Sequence, residues 1–383
     1  MKQPILKSLP VLMHHLVSHD TRFLSVPPAI FEKQCRALAE KGWRGVSLDE
    51  AEAFLLGERS LPAKSFLMTF DDGYLDNYVY AFPIMQKYGH KGVIFGVTSR
   101  MSLAQMDCEH QATKTGTTLR QTMTAQQAVS TSEPADITVD NLVMDDDGGH
   151  AVRVPLFCNW DEARLMERSG TMSIAGHSVN HARVYSSPRF SGFIQPGDRL
   201  DHFDNILNEA VYGMPAFEHL PELTTRAFIP SNELIKHIAK LVPQDTDGAK
   251  EFFASEGSVK ELKALIDTYR DSMGRFESDE EMRERMFAIM ETSQHVLSRE
   301  LGHTVRSFCW PWGGFCPVAL EVGREAGFEV FYTTKRGVNL PGKPLAVRRF
   351  KVKNRDDQGK WLTDRTALYS YPIRGGLYST FRV

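Results

Sequence analysis

The chain has 383 residues, of which 42% are hydrophobic and 24% are charged, and its formal net charge is −3. These values are typical of an ordinary globular protein that is long enough for one large domain or two. The near balance of acidic and basic residues gives no electrostatic support for nucleic acid or an anionic membrane as the main partner.

The cysteines, the N-terminal sequence and the hydropathy narrow the class further. Five scattered cysteines without a C-x-x-C pair argue against a disulfide framework and against a structural zinc knuckle. The first residues, M-K-Q-P-I-L-K-S-L-P, lack the apolar core of a signal peptide. Because no run of about 18 apolar residues occurs either, no membrane span is predicted. We therefore expect a reduced, soluble, cytoplasmic protein.

The first hundred residues alternate short apolar runs with helical patterns. Strands are predicted at residues 10–13, 45–48, 66–70 and 93–97, and helices at residues 28–40, 49–56 and 76–88. Asp49 is expected to cap the second of these helices. This alternation predicts parallel βα units.

Two stretches interrupt this alternation. Residues 101–156 are polar, and two apolar runs at 137–144 and 151–157 flank D-D-D-G-G, which predicts a hairpin. From about residue 187 to 279 the chain is turn-rich and then contains candidate helices at 232–241 and 259–269. We interpret both stretches as insertions, at about 101–157 and at 187–279 (mainly helical), within one catalytic domain that spans residues 1–383.

Outside the insertions the alternation resumes and completes the predicted fold. Helices are predicted at residues 160–168, 280–301 and 318–326, and strands at residues 171–175, 305–309, 330–334 and 345–350. About seven or eight parallel strands favour a closed or nearly closed (β/α) barrel over an open doubly wound sheet. The sequence has no G-x-G-x-x-G motif after a predicted strand and no G-x-x-x-x-G-K-[ST] motif, so it does not support a dinucleotide site or a phosphate-binding loop.

Three predicted strands end in polar residues: Asp71 with Asp72, His177 with His181, and His14 with His15. The carboxyl ends of the strands of a parallel barrel open on one face, so these groups are expected to converge. Two histidines and one carboxylate suffice to bind a catalytic zinc ion. A second carboxylate can accept a proton from water, and a histidine can donate one to a leaving group. The set predicts metal-assisted hydrolysis of an amide or an ester.

Each of these features also has a structural interpretation. An Asp-Asp-Gly sequence is often a solvated turn, and a His-x-x-x-His pair can arise by chance. Trp310 and Trp312 can simply pack, as can His14. Cys309 is a conceivable nucleophile, but a thiol inside an apolar strand is usually inert. The joint occurrence of three polar clusters at strand ends favours the functional interpretation.

Three motifs resemble the successive signatures of the polysaccharide deacetylases, the family-four carbohydrate esterases. They are T-F-D-D-G-Y at residues 69–74, H-S-V-N-H at 177–181 and F-C-W-P-W-G at 308–313. The resemblance covers roughly residues 9–100, 158–186 and 280–353 and leaves both insertions outside. The fold that we expect is α/β, a distorted (β/α)7-type barrel with two insertions.

The resemblance implies a role for each motif residue. Asp71 would be the general base, and Asp72, His177 and His181 would hold one divalent metal ion, usually zinc. The catalytic acid of most family members lies in a late Leu-x-His motif, which is missing here because no histidine follows His303.

The opening V-L-M-H-H-L-V instead resembles the N-terminal segment of the poly-N-acetylglucosamine deacetylases. On that resemblance His15 is the catalytic acid, and His14 takes the place of the usual tyrosine.

The third motif departs from the family pattern. Cys309 takes the place of an arginine that orients the base, and Arg348 or Arg349 is the expected substitute. The backbone N–H of Trp312 would form part of an oxyanion hole. Residues predicted to bind substrate are Tyr74, Trp310, Trp312 and Arg349.

The predicted function is removal of an acetyl group from an N-acetylated sugar in bacterial surface-glycan metabolism. The substrate would be a sugar, an oligosaccharide, or a lipid- or nucleotide-linked glycan, and the insertion at 187–279 would either select it or mediate homo-oligomerisation. Two alternatives remain open: a metal-independent cyclic-amide hydrolase of the same fold, and a catalytically silent carbohydrate-binding protein.

Overall fold

The computed structural model describes residues 5–18, 24–103, 140–144, 151–155, 157–198 and 211–352, with residues 140–144 and 151–155 described by their backbone alone. The described helices are α1 Pro28–Glu40, α2 Leu48–Leu56, α3 Phe82–Lys87, α4 Trp160–Arg168, α5 Asn232–Leu241, α6 Thr246–Ala254, α7 Glu256–Thr268, α8 Asp279–Leu301 and α9 Pro317–Glu325. The strands are β1 Val11–His14, β2 Arg44–Gly45, β3 Ser65–Asp72, β4 Gly92–Gly96, β5 Asp140–Met144, β6 Ala151–Pro155, β7 Met172–Gly176, β8 Arg183–Phe193, β9 Pro215–Pro221, β10 Phe228–Pro230, β11 Gly274–Phe276, β12 Ser307–Cys309, β13 Val330–Tyr332 and β14 Phe350–Lys351.

The main sheet is parallel, in the order β13-β12-β7-β4-β3-β1-β14, with β2 beside β3. Its two edges meet, because Val347 pairs with Tyr332 of β13 while Phe350 pairs with Leu12 of β1. The parallel strands therefore curl into a barrel, and the prediction of a (β/α)7-type fold is confirmed. The largest apolar core joins these strands to α1, α2, α4, α8 and α9.

The region between β7 and α8 has a small core of its own. The long strands β8 and β9 form an antiparallel pair, and their buried residues pack against α5 and α7. Only helices were predicted here, and the strands were missed because register shifts after Tyr185 and Phe190 break the alternation of apolar and polar residues. In the other predicted insertion β5 and β6 pair antiparallel. The domain and insertion boundaries stay predictions.

Several local predictions are confirmed and others are wrong. The bounds of α1, α4 and α5 match the predicted ones. Ser47, not Asp49, caps α2, because Ser47 Oγ accepts the Glu50 N–H while the Glu50 carboxylate accepts the Ser47 N–H. The predicted strand 45–48 is therefore cut short at Gly45.

Two further element predictions need correction. The predicted strand 345–350 is a 3₁₀ turn at Pro344–Ala346, and β14 begins only at Phe350. The predicted helix 76–88 opens with a π-helical turn, Asn77–Ala81, before α3. Such wide turns occur often at functional sites, and this one follows the Asp71–Asp72 pair closely.

None of the helices in the described ranges is both long and apolar enough to cross a membrane.

His14 is a core residue of the barrel. Its ring is stacked on Phe70 with 5.1 Å between centroids and meets the edge of Phe31 at 5.4 Å. Only 1% of the residue is exposed, and this burial lowers the pKa of His14 from 6.5 to about 3. The native ring is therefore neutral at pH 7.

We expect His14→Phe to make the fold less sensitive to acid. The unfolded chain binds a proton at this histidine near pH 6.5, whereas the native protein does so only near pH 3. Falling pH therefore favours the unfolded state, and the wild type should lose about 2 kcal/mol more unfolding free energy than H14F between pH 7 and pH 5. Denaturant unfolding of both metal-free proteins measures this difference, and equal losses would contradict it.

Candidate active site

The polar residues predicted at three strand ends lie together at one end of the barrel. Asp71 and Asp72 end β3, His15 follows β1 directly, and His177 follows β7 directly. Because β1, β3, β4 and β7 are parallel neighbours, their carboxyl ends meet on one face. The expected convergence is therefore observed.

Asp72, His177 and His181 form a buried set of potential metal ligands. Asp72 Oδ1 lies 3.3 Å from His177 Nε2 and 3.6 Å from His181 Nε2, and one ligand atom from each residue lies within 4.8 Å of the others. Ligand atoms on a tetrahedral zinc ion are separated by roughly 3.3–3.5 Å, given bond lengths of about 2.0–2.2 Å. The spacing therefore fits one divalent ion of that size.

The protonation of these side chains also suits a metal. His177 Nδ1 donates to the Cys309 carbonyl at 2.7 Å, so Nε2 is the ring nitrogen that faces Asp72. Burial alone would lower the pKa of His177, but Cys309 and the hydrogen bond to Asp72 raise it, so the metal-free ring is protonated. Burial lowers the pKa of His181 to about 3, so that ring is neutral. Burial alone would raise the pKa of Asp72, but the hydrogen bond from His177 and the neighbouring imidazoles hold that pKa below its usual range. A metal binds an ionised carboxylate and neutral imidazoles, so a bound ion would replace the proton of His177.

The backbone around this set is strained. Within the described ranges five residues other than glycine have positive φ, and four of them surround the site: Asp72 (78°), Ser178 (65°), His181 (51°) and Trp312 (53°). Each such conformation costs of order 1–3 kcal/mol and persists only where its surroundings enforce it. Strain concentrated at two candidate ligands and two of their neighbours supports a functional site here.

Asp71 is held by a buried arginine. Arg349 Nη1 and Nη2 donate to Asp71 Oδ1 and Oδ2 at 2.6 and 2.8 Å, and Arg349 Nε donates to the Thr333 carbonyl at 2.8 Å. Burial alone would raise the pKa of Asp71, but the Arg349 guanidinium outweighs it and lowers that pKa. Asp71 is therefore ionised, as a general base must be.

Arg349 thus occupies the orienting position that Cys309 leaves vacant. Its Nη2 also lies 3.1 Å from Cys309 Sγ. The prediction that Arg349 binds substrate needs correction, because its side chain is fully buried and donates to Asp71. Of the two arginines proposed as the substitute, Arg349 makes this contact.

A second donor set, Asp71 with His177 and Cys309, is also compact enough for a metal. It is less suitable, because both Asp71 oxygens accept from Arg349 and burial raises the pKa of the Cys309 thiol. A protonated, buried thiol is also a poor nucleophile. The set containing Asp72 remains the better metal site.

His15 also lies near the Asp71 carboxylate, with Nε2 3.9 Å from Asp71 Oδ2. Its side chain is 14% exposed, and its carbonyl accepts from Asn77 Nδ2 at 2.8 Å. Burial lowers the pKa of His15, although the charges of Asp71 and Asp72 oppose the shift. Asn77 was not singled out from the sequence, since an asparagine in a predicted helix gives no signal of such a contact.

The predicted substrate residues divide into two groups. Trp312 is half-buried and packs on His181 with 4.0 Å between ring centroids, and it belongs to an apolar group with Leu16, Tyr74, Val97 and Phe157. Tyr74 is only 5% exposed and stacks on Phe157. Trp310 needs correction, because it is fully buried between Phe315 and Phe331 and supports the site from the core.

A comparison with known protein families matches the part of the chain that contains these site residues. Residues 58–191, which include Asp71, Asp72, His177 and His181, match the family model of the polysaccharide deacetylases. This stretch of the chain is similar to the polysaccharide deacetylases. The resemblance predicted from the three motifs is thereby confirmed.

Curated relatives match this chain over part of their own length. The Bacillus subtilis protein YxkH is 40% identical over 87 residues, which are 23% of this chain and 31% of that protein. The poly-beta-1,6-N-acetyl-D-glucosamine N-deacetylase of Escherichia coli K12 is 22% identical over 335 residues, which are 88% of this chain and 34% of that protein. The chain thus spans about a third of the length of these relatives.

Two solved structures share the fold. A de-N-acetylase from Aggregatibacter actinomycetemcomitans has a TM-score of 0.54 and 18% identity, covering 90% of this chain and 95% of its own. The BpsB deacetylase domain from Bordetella bronchiseptica has a TM-score of 0.51 and 20% identity, covering 91% and 97%. At these identities the likeness concerns the architecture.

Removing Arg349 should destabilise the protein strongly unless Asp71 is neutralised as well. Arg349→Leu leaves a buried carboxylate uncompensated, which costs about 3–5 kcal/mol of unfolding free energy. The double variant D71N/R349L should recover part of this loss, since no buried charge remains. As a control, R306L removes a surface ion pair with Glu329 and should cost about 1 kcal/mol or less. Denaturant unfolding measures these three variants and the single variant D71N, and full additivity of D71N and R349L would contradict the pairing.

Proposed function

We propose that this protein is a metal-dependent hydrolase that removes the acetyl group from an N-acetylated sugar. The observation that carries the proposal is the buried set of Asp72, His177 and His181 directly beside the Asp71–Arg349 pair. A metal site and an oriented, ionised carboxylate within one cleft are the two components that amide hydrolysis requires.

Asp72, His177 and His181 would hold one divalent ion, for which zinc is our choice. One carboxylate and two imidazoles match a catalytic zinc site with an open position. A bound ion of this kind supplies Lewis-acid chemistry, polarising a carbonyl and lowering the pKa of water to about 7. The Cys309 carbonyl would fix the orientation of His177.

Asp71 would take the proton from the attacking water. Arg349 uses one lone pair on each carboxylate oxygen and leaves others available for that water. The bidentate contact also fixes the plane of the carboxylate, so the base is in position before substrate binds. The N–H of Trp312 would donate to the carbonyl oxygen as negative charge develops on it.

His15 would donate a proton to the departing amine. Burial favours the neutral His15 ring before the reaction starts. We therefore propose that Asp71 transfers the proton that it takes from water to His15, and that His15 donates it to the amine. The 3.9 Å between His15 Nε2 and Asp71 Oδ2 is longer than a hydrogen bond, but such contacts commonly tighten when substrate binds.

For the substrate we propose an N-acetylated glycan of the bacterial surface, as an oligosaccharide or as a lipid- or nucleotide-linked precursor. The name of the Escherichia coli relative, a poly-beta-1,6-N-acetyl-D-glucosamine N-deacetylase, supports this class. Tyr74 and Trp312, which belong to the apolar group beside His181, would contact the sugar or its acetyl group. The compartment and the oligomeric state stay predictions.

Replacing the base should abolish turnover without removing the metal. Because Asp71 is not one of the proposed ligands, D71N should lower kcat for amine release from N-acetylglucosamine oligosaccharides by about 10²–10⁴. Its zinc content, measured by elemental analysis, should equal that of the wild type, whereas the control H181A should lose zinc. Near-normal activity of D71N would show that the base is assigned wrongly.

The same measurements test the two alternatives. A metal-independent cyclic-amide hydrolase would keep its activity after zinc is removed and would not depend on His181. A silent carbohydrate-binding protein would release no amine, whatever metal is added.

Removal of His15 should affect amides far more than activated esters. An amine must be protonated as it leaves, whereas a phenolate leaves without a proton. H15A should therefore lower kcat/KM for an N-acetyl sugar by about 10²–10⁴ and for an aryl acetate much less. D71N, which impairs the attacking water, is the matched control and should slow both substrates. Equal losses of H15A on both substrates would exclude the role of His15 as acid.

A further inference from the structure

The loop that carries His181 connects the barrel to the β8–β9 hairpin. It leaves the barrel strand β7 at Gly176, passes through His177 and His181, and enters the hairpin strand β8 at Arg183. Two of its residues, Ser178 and His181, have positive φ, so the loop needs contacts that enforce this conformation. On the barrel side, the N–H groups of Thr98 and Ser99 donate to the carbonyls of Ser178 and Val179.

On the hairpin side, the contacts come from Glu222. This residue follows β9 and is 7% exposed. Its N–H donates to the Ala182 carbonyl at 3.1 Å, and its Oε1 accepts the Ala182 N–H at 3.3 Å. Ala182 directly follows His181, so this exchange fixes the chain immediately after the ligand.

The Glu222 side chain also reaches the ligand through Ser178. Ser178 Oγ accepts the His181 N–H at 2.8 Å. The Ser178 hydroxyl also acts on the Glu222 carboxyl: burial raises the pKa of that carboxyl to about 7, and hydrogen bonding from the Ala182 N–H and from Ser178 opposes the shift. Because the serine oxygen is an acceptor toward His181, its single proton is available for the carboxylate. The network therefore runs from Glu222 through Ser178 to the backbone of His181.

Glu222 is itself anchored at its backbone. Arg285 of α8 donates through Nη1 to the Glu222 carbonyl at 2.6 Å and through Nη2 to the Thr225 carbonyl at 3.0 Å. The same guanidinium is paired with the buried Glu277 at 2.7 Å. The position of the Glu222 backbone is thus set by contacts that do not involve the proposed metal ligands.

We propose that Glu222 is a positioning residue of the metal site, which holds the Ser178–Ala182 loop so that His181 Nε2 faces Asp72. The inference rests on the proposed metal site and adds to it a residue outside the family motifs. It assigns the segment between β9 and β10 a part in metal affinity, in addition to any part in substrate selection.

The test measures zinc affinity by competition with a chromophoric chelator, starting from metal-free protein. Glu222→Leu fills similar space but cannot accept hydrogen bonds, and its zinc affinity should fall by about 10-fold or more, as for other outer partners of metal ligands. Glu222→Gln keeps an acceptor oxygen and should bind zinc almost as tightly as the wild type. Glu218→Gln, an exposed position on the same hairpin, is the control and should change nothing.

Two further measurements separate positioning from general stability. The melting temperatures of the metal-free proteins show whether E222L remains folded, and S178A interrupts the same network if E222L does not. In the double variant E222L/S178A the loss of affinity should be smaller than the sum of the single losses, because both act through one network.

The possible failures are distinguishable. No zinc binding by the wild type would overturn the proposed metal site itself. Wild-type affinity in folded E222L, or full additivity with S178A, would overturn the role of Glu222 alone.

Discussion

The buried pair of Asp71 and Arg349 links the closure of the barrel to the chemistry at its end. Arg349 lies in the segment that joins β13 to β14 and so brings the two edges of the sheet together. Its guanidinium contacts Asp71 on β3, Cys309 on β12 and the Thr333 carbonyl after β13. A fully buried guanidinium is stable only when its donors are satisfied, and these contacts exist only in the closed barrel. The fold and the orientation of the Asp71 carboxylate therefore depend on each other.

The same pair explains how two adjacent carboxylates can coexist in one buried site. Consecutive residues of a regular strand face opposite sides, so Asp71 and Asp72 would normally be separated by the sheet. The positive φ of Asp72 ends that alternation at the last residue of β3. Asp71 then faces a guanidinium and Asp72 faces two imidazoles, so each negative charge has its own compensation. Separate surroundings allow the separate roles that we propose, Asp71 as a base and Asp72 as a metal ligand.

The sequence predicted what depends on local patterns. Short apolar runs that end in polar residues identified the barrel strands and placed Asp71, Asp72 and His177 at their carboxyl ends. The motif resemblance narrowed the orienting arginine to two neighbouring residues. It did not decide between them. The last strand was predicted at residues 345–350, whereas β14 begins only at Phe350, so the prediction did not show which arginine side chain faces Asp71.

What the sequence did not reveal depends on contacts between distant segments. The β8–β9 hairpin was not predicted, because its bulges disrupt the alternation of apolar and polar residues. Without a predicted hairpin there was no reason to single out Glu222. Ala182 and Glu222 are 40 positions apart, and neither belongs to a recognisable motif. Trp310 and Trp312 are two residues apart in one motif, yet one is in the core and one contacts His181, because the chain turns sharply at Pro311–Gly313.

These contacts suggest that different parts of the fold position the three proposed metal ligands. Asp72 and His177 are fixed by the barrel, the first by β3 and the second by the Cys309 carbonyl of β12. His181 lies where the barrel chain passes into the hairpin, and its loop is held from both sides, by Thr98 and Ser99 and by Glu222. A barrel alone would therefore supply two of the three ligands in fixed positions. If Glu222 holds His181 as we propose, completing the site requires the hairpin to be folded against the barrel, which gives a structural reason for the predicted insertion after the second histidine.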